Sequence, residues 1–145
     1  MTLEQPLFNR LALIGVGLIG SSIARAARAQ GVVRSIVATA RSDATRRRVA
    51  ELGLADHVVE TNAAAVADAD LVIVCIPVGA CGEVAREIGP HLKQGAIVSD
   101  VGSVKASVTR EMAPHLPPGV HFVPAHPVAG TEYSGPDAGF AELFV

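Results

Sequence analysis

Short apolar runs alternate with longer amphipathic stretches along the whole chain. The clearest run is continuous rather than alternating and ends at Pro77, as expected of a strand that is covered on both faces. The others are shorter but have the same aliphatic and β-branched character. We predict six strands, at residues 11–14, 35–38, 57–59, 71–76, 96–99 and 121–123.

Helical patterns fill the intervals between these runs. Gly31 and Gly53 stand where helices should end, and Ser42 and Asn62 stand where N-terminal caps are expected. The predicted helices cover residues 21–30, 42–52, 62–67, 82–92 and 104–112. Strands that alternate with helices at short spacing predict an α/β fold with a doubly wound, mostly parallel sheet.

Composition narrows the class of protein. The 145 residues are 50% hydrophobic but only 3% aromatic, so we expect one domain with an aliphatic core. A net charge of −2 gives no electrostatic reason to bind nucleic acid, and we interpret the basic run 46–48 as an exposed helix face. The longest apolar run is too short to cross a membrane, and we find no targeting segment. We therefore expect a soluble, cytoplasmic protein with no membrane or nucleic-acid partner.

A glycine-rich turn lies between the first strand and the first helix. Residues 15–20 fit the pattern G-x-G-x-x-G, with Gly15, Gly17 and Gly20 separated by Val16 and by Leu18-Ile19. In this context the first glycine allows a tight turn, the second admits a pyrophosphate, and the third lets helix and strand pack closely. The pattern predicts a Rossmann-type dinucleotide-binding domain. The alternative is a strand–helix turn with incidental glycines.

The end of the second strand bears on the choice of cofactor. An acidic residue that would bind the adenosine ribose is expected about 20 residues after the glycines. This chain has Ala40-Arg41-Ser42 there. Arg41 could pair with a 2′-phosphate and Ser42 could donate a hydrogen bond, which favours NADP or a relaxed choice between NAD and NADP. The alternative is that Arg41 is a solvated turn residue and that NAD is the cofactor.

Three further segments follow strands and should reach the same edge of the sheet. Cys75 and Pro77 follow the fourth strand and are predicted to form a wall beside the cofactor. Ser103 follows the fifth strand and His126 the sixth. A histidine can accept a proton near neutral pH, so His126 is our candidate base, while Ser103 could instead cap the next helix. The two cysteines have no histidine spacing typical of zinc, and we expect no metal site.

Three segments together resemble one known family. They are Gly-Val-Gly-Leu-Ile-Gly-Ser-Ser at 15–22, Asp-Val-Gly-Ser-Val-Lys at 100–105 and His-Pro-Val-Ala-Gly-Thr-Glu-Tyr-Ser-Gly at 126–135. The chain resembles the prephenate/arogenate dehydrogenases (cyclohexadienyl dehydrogenases) of tyrosine biosynthesis. The resemblance implies an NAD(P)-dependent oxidative decarboxylation of prephenate to 4-hydroxyphenylpyruvate, or of arogenate to tyrosine.

The resemblance also implies roles for particular residues. His126 matches the family's catalytic histidine, which accepts the proton of the ring hydroxyl, and Ser103 matches a serine that bonds the same hydroxyl. Glu132 matches a glutamate near the active-site entrance, and Gly130 and Thr131 lie beside it on the substrate side. Lys105 lies in the matched segment and is assigned only a structural or substrate-side role.

Members of the family continue beyond the length of this chain. They add strands and a helical domain that makes a homodimer, so residues 1–145 are expected to be an incomplete nucleotide-binding domain. Two other functions stay open at this point. One is a β-hydroxyacid dehydrogenase or a related imine reductase, and the other is a nucleotide-binding module without catalytic activity.

Overall fold

A computed structural model describes residues 4–127 and 133–144 of the chain. Within these residues, six parallel strands form one sheet in the order β3-β2-β1-β4-β5-β6. The chain winds outward from β1 in one direction and then, from β4, in the other. This order confirms the predicted doubly wound α/β fold and places the switch point between β1 and β4.

All six predicted strands are present, in several cases with different ends. The strands are β1 (Phe8–Ile14), β2 (Val33–Thr39), β3 (His57–Val58), β4 (Leu71–Val74), β5 (Ile97–Asp100) and β6 (His121–Val123). The α-helices are α1 (Leu18–Gln30), α2 (Asp43–Glu51), α3 (Asn62–Val66), α4 (Cys81–Ile88) and α5 (Lys105–Met112). Short 3₁₀ turns follow at Val78–Ala80, Gly89–His91, Ala113–His115, Pro136–Ala138 and Ala141–Phe144.

The two faces of the sheet bury two separate cores. Alternate residues of β1 point to opposite faces, so Leu11 and Leu13 pack with α1 and α2, while Ala12 and Ile14 pack with α3, α4 and α5. Both faces of β1 are therefore covered, which explains the uninterrupted apolar run in the sequence. The core is aliphatic, as the composition predicts.

Local chemistry accounts for most helix ends. Gly31 adopts a left-handed conformation (φ 67°) and donates to carbonyl oxygens in the last turn of α1. The Ser42 hydroxyl accepts from the Thr45 N–H at 3.1 Å, which confirms the predicted cap of α2. The prediction that Asn62 caps α3 was wrong. Thr61 takes that position and accepts from Ala64 N–H, so Asn62 is the first helical residue.

Most elements differ in length from the prediction, and β1 and β2 each have seven residues instead of four. Three other elements, α1, β4 and α4, also have different ends. Helix α1 begins at Leu18, directly after Gly17, rather than at residue 21. Strand β4 ends at Val74 because its neighbour β1 turns away at Gly15. Helix α4 ends at Ile88, since Pro90 lacks an N–H and its ring excludes a continued α-helix.

The register of the sheet aligns the ends of four strands. Ile14 pairs with Thr39 on one side and Val74 on the other, and Val74 pairs in turn with Asp100. On β6, Val123 lies opposite Ser99. The segments that follow these strands consequently emerge at one edge of the sheet, which we call the carboxyl edge.

Candidate functional site

The glycine turn occupies the centre of the carboxyl edge. Gly15 has a φ of +90°, and a Cβ built on it would lie 2.4 Å from the Cys75 carbonyl oxygen. A Cβ on Gly20 would lie 2.5 Å from the Gly15 carbonyl oxygen. Both positions therefore require glycine, the first for backbone conformation and close approach and the second for close approach alone. The close packing expected of Gly20 is present.

Gly17 has a different environment. It is the N-cap of α1, and a Cβ built on it would meet no described atom within 4 Å. No side chain caps this helix end, and its first turn carries no acidic residue. Free N–H groups and the positive end of the helix dipole therefore face a space that the missing side chain leaves open, which suits a phosphate.

A cleft of about 1140 Å³ opens along the ends of β1, β2, β3 and β4. Six of the predicted cofactor-binding residues line it: Gly15, Gly17, Arg41, Ser42, Cys75 and Pro77. Leu18 and Ile19 are half-buried in the first turn of α1 and do not line the cleft, and Gly20 is buried behind the turn. The structure thus brings together residues from three segments that are distant in sequence.

The turn after β2 carries Arg41 and Ser42. Arg41 is exposed, while the Ser42 hydroxyl both accepts from the Thr45 N–H and donates to its side-chain oxygen at 2.8 Å. Arg46 reaches back from α2 and donates to the Ala40 carbonyl oxygen at 2.8 Å. The Ser42 hydroxyl is therefore engaged in capping α2, and Arg46 stabilises the turn through its hydrogen bond to Ala40.

Carboxylates that the sequence reasoning did not single out also line the cleft. Glu60 follows β3, and Glu83 and Glu87 lie on α4. Glu87 accepts from the Asn62 side-chain amide at 2.9 Å, which links α3 to α4. The position of Glu60 directly after the predicted third strand was the one signal in the sequence that could have identified it.

The Cys75 thiol lies against the core beneath the glycine turn. Burial raises its pKa to about 12, and the negative charge of Asp100 adds to the effect. Because the thiolate is the reactive form, Cys75 remains a neutral, unreactive thiol at physiological pH. Its contribution to the cleft is its backbone and its bulk.

Ser103 and His126 emerge from neighbouring strands at the same edge. Both side chains are exposed, and neither belongs to the residues that line the cleft. Ser103 does not cap α5, whose N-cap is Val104 without a side-chain hydrogen bond, so that alternative for Ser103 was wrong. Gly130, Thr131 and Glu132 lie outside the described residues.

A segment that follows the candidate base in sequence lines part of the cleft and packs against α1. Gly135 and Pro136 line the cleft, and a Cβ on Gly139 would lie 2.0 Å from the Ser21 hydroxyl oxygen. The Ser22 hydroxyl accepts from the Phe140 N–H at 3.0 Å. We call residues 135–144 the docked segment, because these contacts seat it on α1 next to the glycine turn.

An ion pair joins the docked segment to α2. Arg48 donates from Nε to both carboxylate oxygens of Asp137 at 3.0 Å, and its Nη2 also contacts this carboxylate. The hydrogen bonds from Arg48 hold the pKa of Asp137 below its ordinary value, and those to Asp137 and Glu51 raise the pKa of Arg48. Nothing in the sequence indicated this pair, whose members are far apart in the chain.

Two features of other protein classes are absent from the described part of the chain. None of its helices combines the length and the apolar content that a membrane span requires. Within residues 4–127 and 133–144, no three side chains of the His, Cys, Asp or Glu type are grouped so that they could hold a metal ion.

Comparison with known sequences gives a consistent result. Residues 23–145 match the prephenate dehydrogenase, nucleotide-binding domain family. Cyclohexadienyl dehydrogenase of Zymomonas mobilis is 47% identical over 137 residues, which are 94% of this chain and 46% of that protein. The chain therefore spans about half the length of the curated relatives that it matches.

Solved structures agree with the sequence comparison. Prephenate dehydrogenase of Aquifex aeolicus, in complex with hydroxyphenyl propionate and NAD⁺, superposes with a TM-score of 0.84 at 27% identity. The match covers 94% of this chain and 47% of that one. Arogenate dehydrogenase of Synechocystis gives the same TM-score at 29% identity, with the same two shares covered.

The glycine geometry predicts unequal effects on stability. Gly15→Ala should lower the free energy of unfolding by about 3 kcal/mol, because it combines an unfavourable φ with a contact against fixed backbone. Gly17→Ala should cost about 1 kcal/mol or less, since its methyl group would enter open space and only the cap preference changes. Urea unfolding at pH 7 measures both values. Equal losses in the two variants would contradict this account of the turn.

Proposed function

The chain belongs to the prephenate dehydrogenase family, as its nucleotide-binding domain, and on that premise we propose that the whole protein oxidatively decarboxylates prephenate or arogenate. The observation that carries the proposal is the carboxyl edge itself. There a cleft of the dinucleotide type runs along the ends of β1 to β4, and the segments after β5 and β6, which carry Ser103 and His126, emerge at the same edge. This is the step that forms the aromatic ring in tyrosine biosynthesis.

The residues of the cleft fit a dinucleotide. Gly17 leaves open space at an uncapped helix end, where a pyrophosphate could accept hydrogen bonds from backbone N–H groups. The cleft extends from there to Arg41 on one side and to Pro77 on the other, as a ligand with two nucleoside halves requires. Bound there, NAD⁺ or NADP⁺ would supply the hydride-accepting ring.

Two side chains, those of His126 and Ser103, would perform the remaining chemistry. We assign His126 as the acceptor of the proton on the C4 hydroxyl of the substrate ring, and Ser103 as a hydrogen-bonding partner that orients this hydroxyl. As the proton leaves, a hydride departs from C4 and the C4–O bond becomes a carbonyl. Loss of the ring carboxylate as CO₂ leaves its electron pair in the ring, and the carbonyl oxygen becomes a phenolate. The phenolate then takes up a proton, equivalent to the one that His126 accepted, to give the phenol.

Other parts of the proposal concern the whole protein. Gly130, Thr131 and Glu132 are proposed to line the substrate entrance. A homodimer is proposed for the full-length protein, in a cytoplasmic setting that suits a small polar substrate. This chain would supply the cofactor site and one part of the substrate site, and the remaining length of the protein would supply the rest.

Exchange of the candidate base tests the function. In the full-length protein, His126→Asn should lower kcat by about 10²- to 10⁴-fold with prephenate or arogenate, because proton removal loses its acceptor. Binding of NAD⁺, measured by calorimetry, should be unchanged. NADH formation at 340 nm measures the turnover.

A second histidine provides the control. His91→Asn changes an exposed side chain at the end of a 3₁₀ turn and should keep wild-type activity. Turnover of a simple 3-hydroxyacid instead of prephenate or arogenate would point to the β-hydroxyacid dehydrogenases. Cofactor binding without any turnover in the wild type would indicate a non-catalytic module.

Arg41 tests the choice between NAD and NADP. We infer that Arg41, exposed at the end of β2, admits a 2′-phosphate, while Glu60, Glu83 and Glu87 in the same cleft oppose added negative charge. We therefore expect both cofactors to be accepted, with a modest preference between them. Arg41→Ala should raise the KM for NADP about tenfold or more and change the KM for NAD little.

The control for this variant lies on the adjacent helix. The Arg47 side chain is 76% exposed and pairs with Asp43 at 2.7 Å, so Arg47→Ala removes an equal charge nearby. It should leave the ratio of the two KM values unchanged. An unaltered KM for NADP in Arg41→Ala would refute the phosphate role.

A further inference from the structure

Asp100 ends β5 and is fully buried. Its exposed fraction is 0%, and among the described residues it is the one charged side chain in the buried class. Neither the cleft nor the proposed proton transfer uses it. A buried carboxylate is costly to desolvate unless donors surround it, so its partners indicate what it does.

Three donors from two segments of the chain surround this carboxylate. One oxygen accepts from the Gly102 N–H at 2.9 Å and from the Lys105 ammonium, and the other accepts from the Ala125 N–H at 3.2 Å. Two of these donors belong to the segment that carries Ser103. The third belongs to the residue that immediately precedes His126.

Lys105 makes a second contact that completes the arrangement. Its ammonium donates to the Ala125 carbonyl oxygen at 2.5 Å as well as to Asp100. The backbone of Ala125 is therefore held at its N–H by Asp100 and at its C=O by Lys105. Both backbone polar groups of the residue that precedes His126 are thus bonded to the β5–α5 segment.

The pairing of β5 with β6 does not depend on these contacts. The strands share a parallel ladder, and the Ser99 hydroxyl donates to the Val123 carbonyl oxygen at 2.7 Å. The contacts of Asp100 and Lys105 act beyond the last ladder pair, on backbone that no longer belongs to a strand. Their position indicates that they set the path of the loop rather than hold the sheet together.

We propose that Asp100 and Lys105 form a clamp that positions His126 relative to Ser103 for proton transfer. The proposal rests on the proposed function and makes both residues positioning residues, because neither needs to touch the substrate. Displacement of a catalytic group by about 1 Å can lower the rate about 10²-fold. A fixed backbone next to His126 would therefore keep this side chain at the distance from Ser103 and from the substrate hydroxyl that proton transfer requires.

The clamp requires a carboxylate at position 100 and a cation at position 105. All three groups that face Asp100 are donors, so the amide of Asp100→Asn would turn its own NH₂ group towards a donor. Lys105→Met keeps the length and apolar stem of the side chain but loses both hydrogen bonds. Lys105→Arg keeps the charge and several donors, so it should restore most of the function.

The test separates positioning from general stability in the full-length protein. Lys105→Met should lower kcat at least tenfold with prephenate or arogenate, while the KM for NAD changes by less than about twofold. Lys105→Arg should recover kcat to within about threefold of wild type. If Asp100→Asn folds, its kcat should be lowered as much as that of Lys105→Met. If Asp100→Asn does not fold, the kcat of Lys105→Met alone tests the clamp.

A matched control removes a neighbouring hydrogen bond, the one from Ser99 to Val123. Ser99→Ala removes the side-chain bond between β5 and β6 without touching Ala125, and it should keep kcat within about threefold. Lys105→Met with wild-type kcat would overturn the clamp, and so would an equal loss of kcat in Ser99→Ala. If the wild type is active and His126→Asn is inactive, either result refutes the clamp and leaves the proposed function standing. A wild type inactive on both substrates overturns the proposed function and the clamp with it.

Discussion

The close approach of the glycine turn to the Cys75 carbonyl is the constraint on which the site depends. A Cβ at Gly15 would lie 2.4 Å from that oxygen, and one at Gly20 would lie 2.5 Å from the Gly15 oxygen. The two glycines let α1 start directly above the junction of β1 and β4. Because the chain reverses its winding there, the uncapped N-terminus of α1 opens into the cleft at the switch point of the sheet.

The loop that carries His126 is tied to this arrangement on both sides. Before it, Asp100 and Lys105 hold the backbone of Ala125. After it, the docked segment is fixed to α1 and to Arg48 of α2, with Pro136 at the wall of the cleft. The residue before the proposed proton acceptor is thus bonded to the β5–α5 segment, and the docked segment is bonded to α1 and α2 beside the cleft.

Local patterns predicted what depends on local physics. Continuous apolar runs predicted all six strands, and Ser42 was correctly assigned as a cap. Thr61 and Asn62 are both acceptable caps, so backbone geometry rather than residue type decided between them. The contacts of Asp100 with Ala125 and of Arg48 with Asp137 depend on tertiary proximity, which no local pattern encodes. The glycine pattern, in its place between a strand and a helix, predicted a dinucleotide site. The position of His126 after the sixth strand made it a candidate base, and its specific role, which the family resemblance implies, stays a prediction.

Binding of NAD⁺ to a Gly17→Val variant tests the central claim most directly. Gly17 has a negative φ (φ −95°, ψ −147°), so a side chain is not excluded by a left-handed backbone, and a valine side chain would occupy the space in front of the α1 N-terminus. We predict that calorimetry will show at least tenfold weaker binding of NAD⁺, while urea unfolding shows a loss of only about 1 kcal/mol, which leaves the domain folded. A dissociation constant equal to that of the wild type would contradict the account, because the dinucleotide would then not approach the backbone at Gly17.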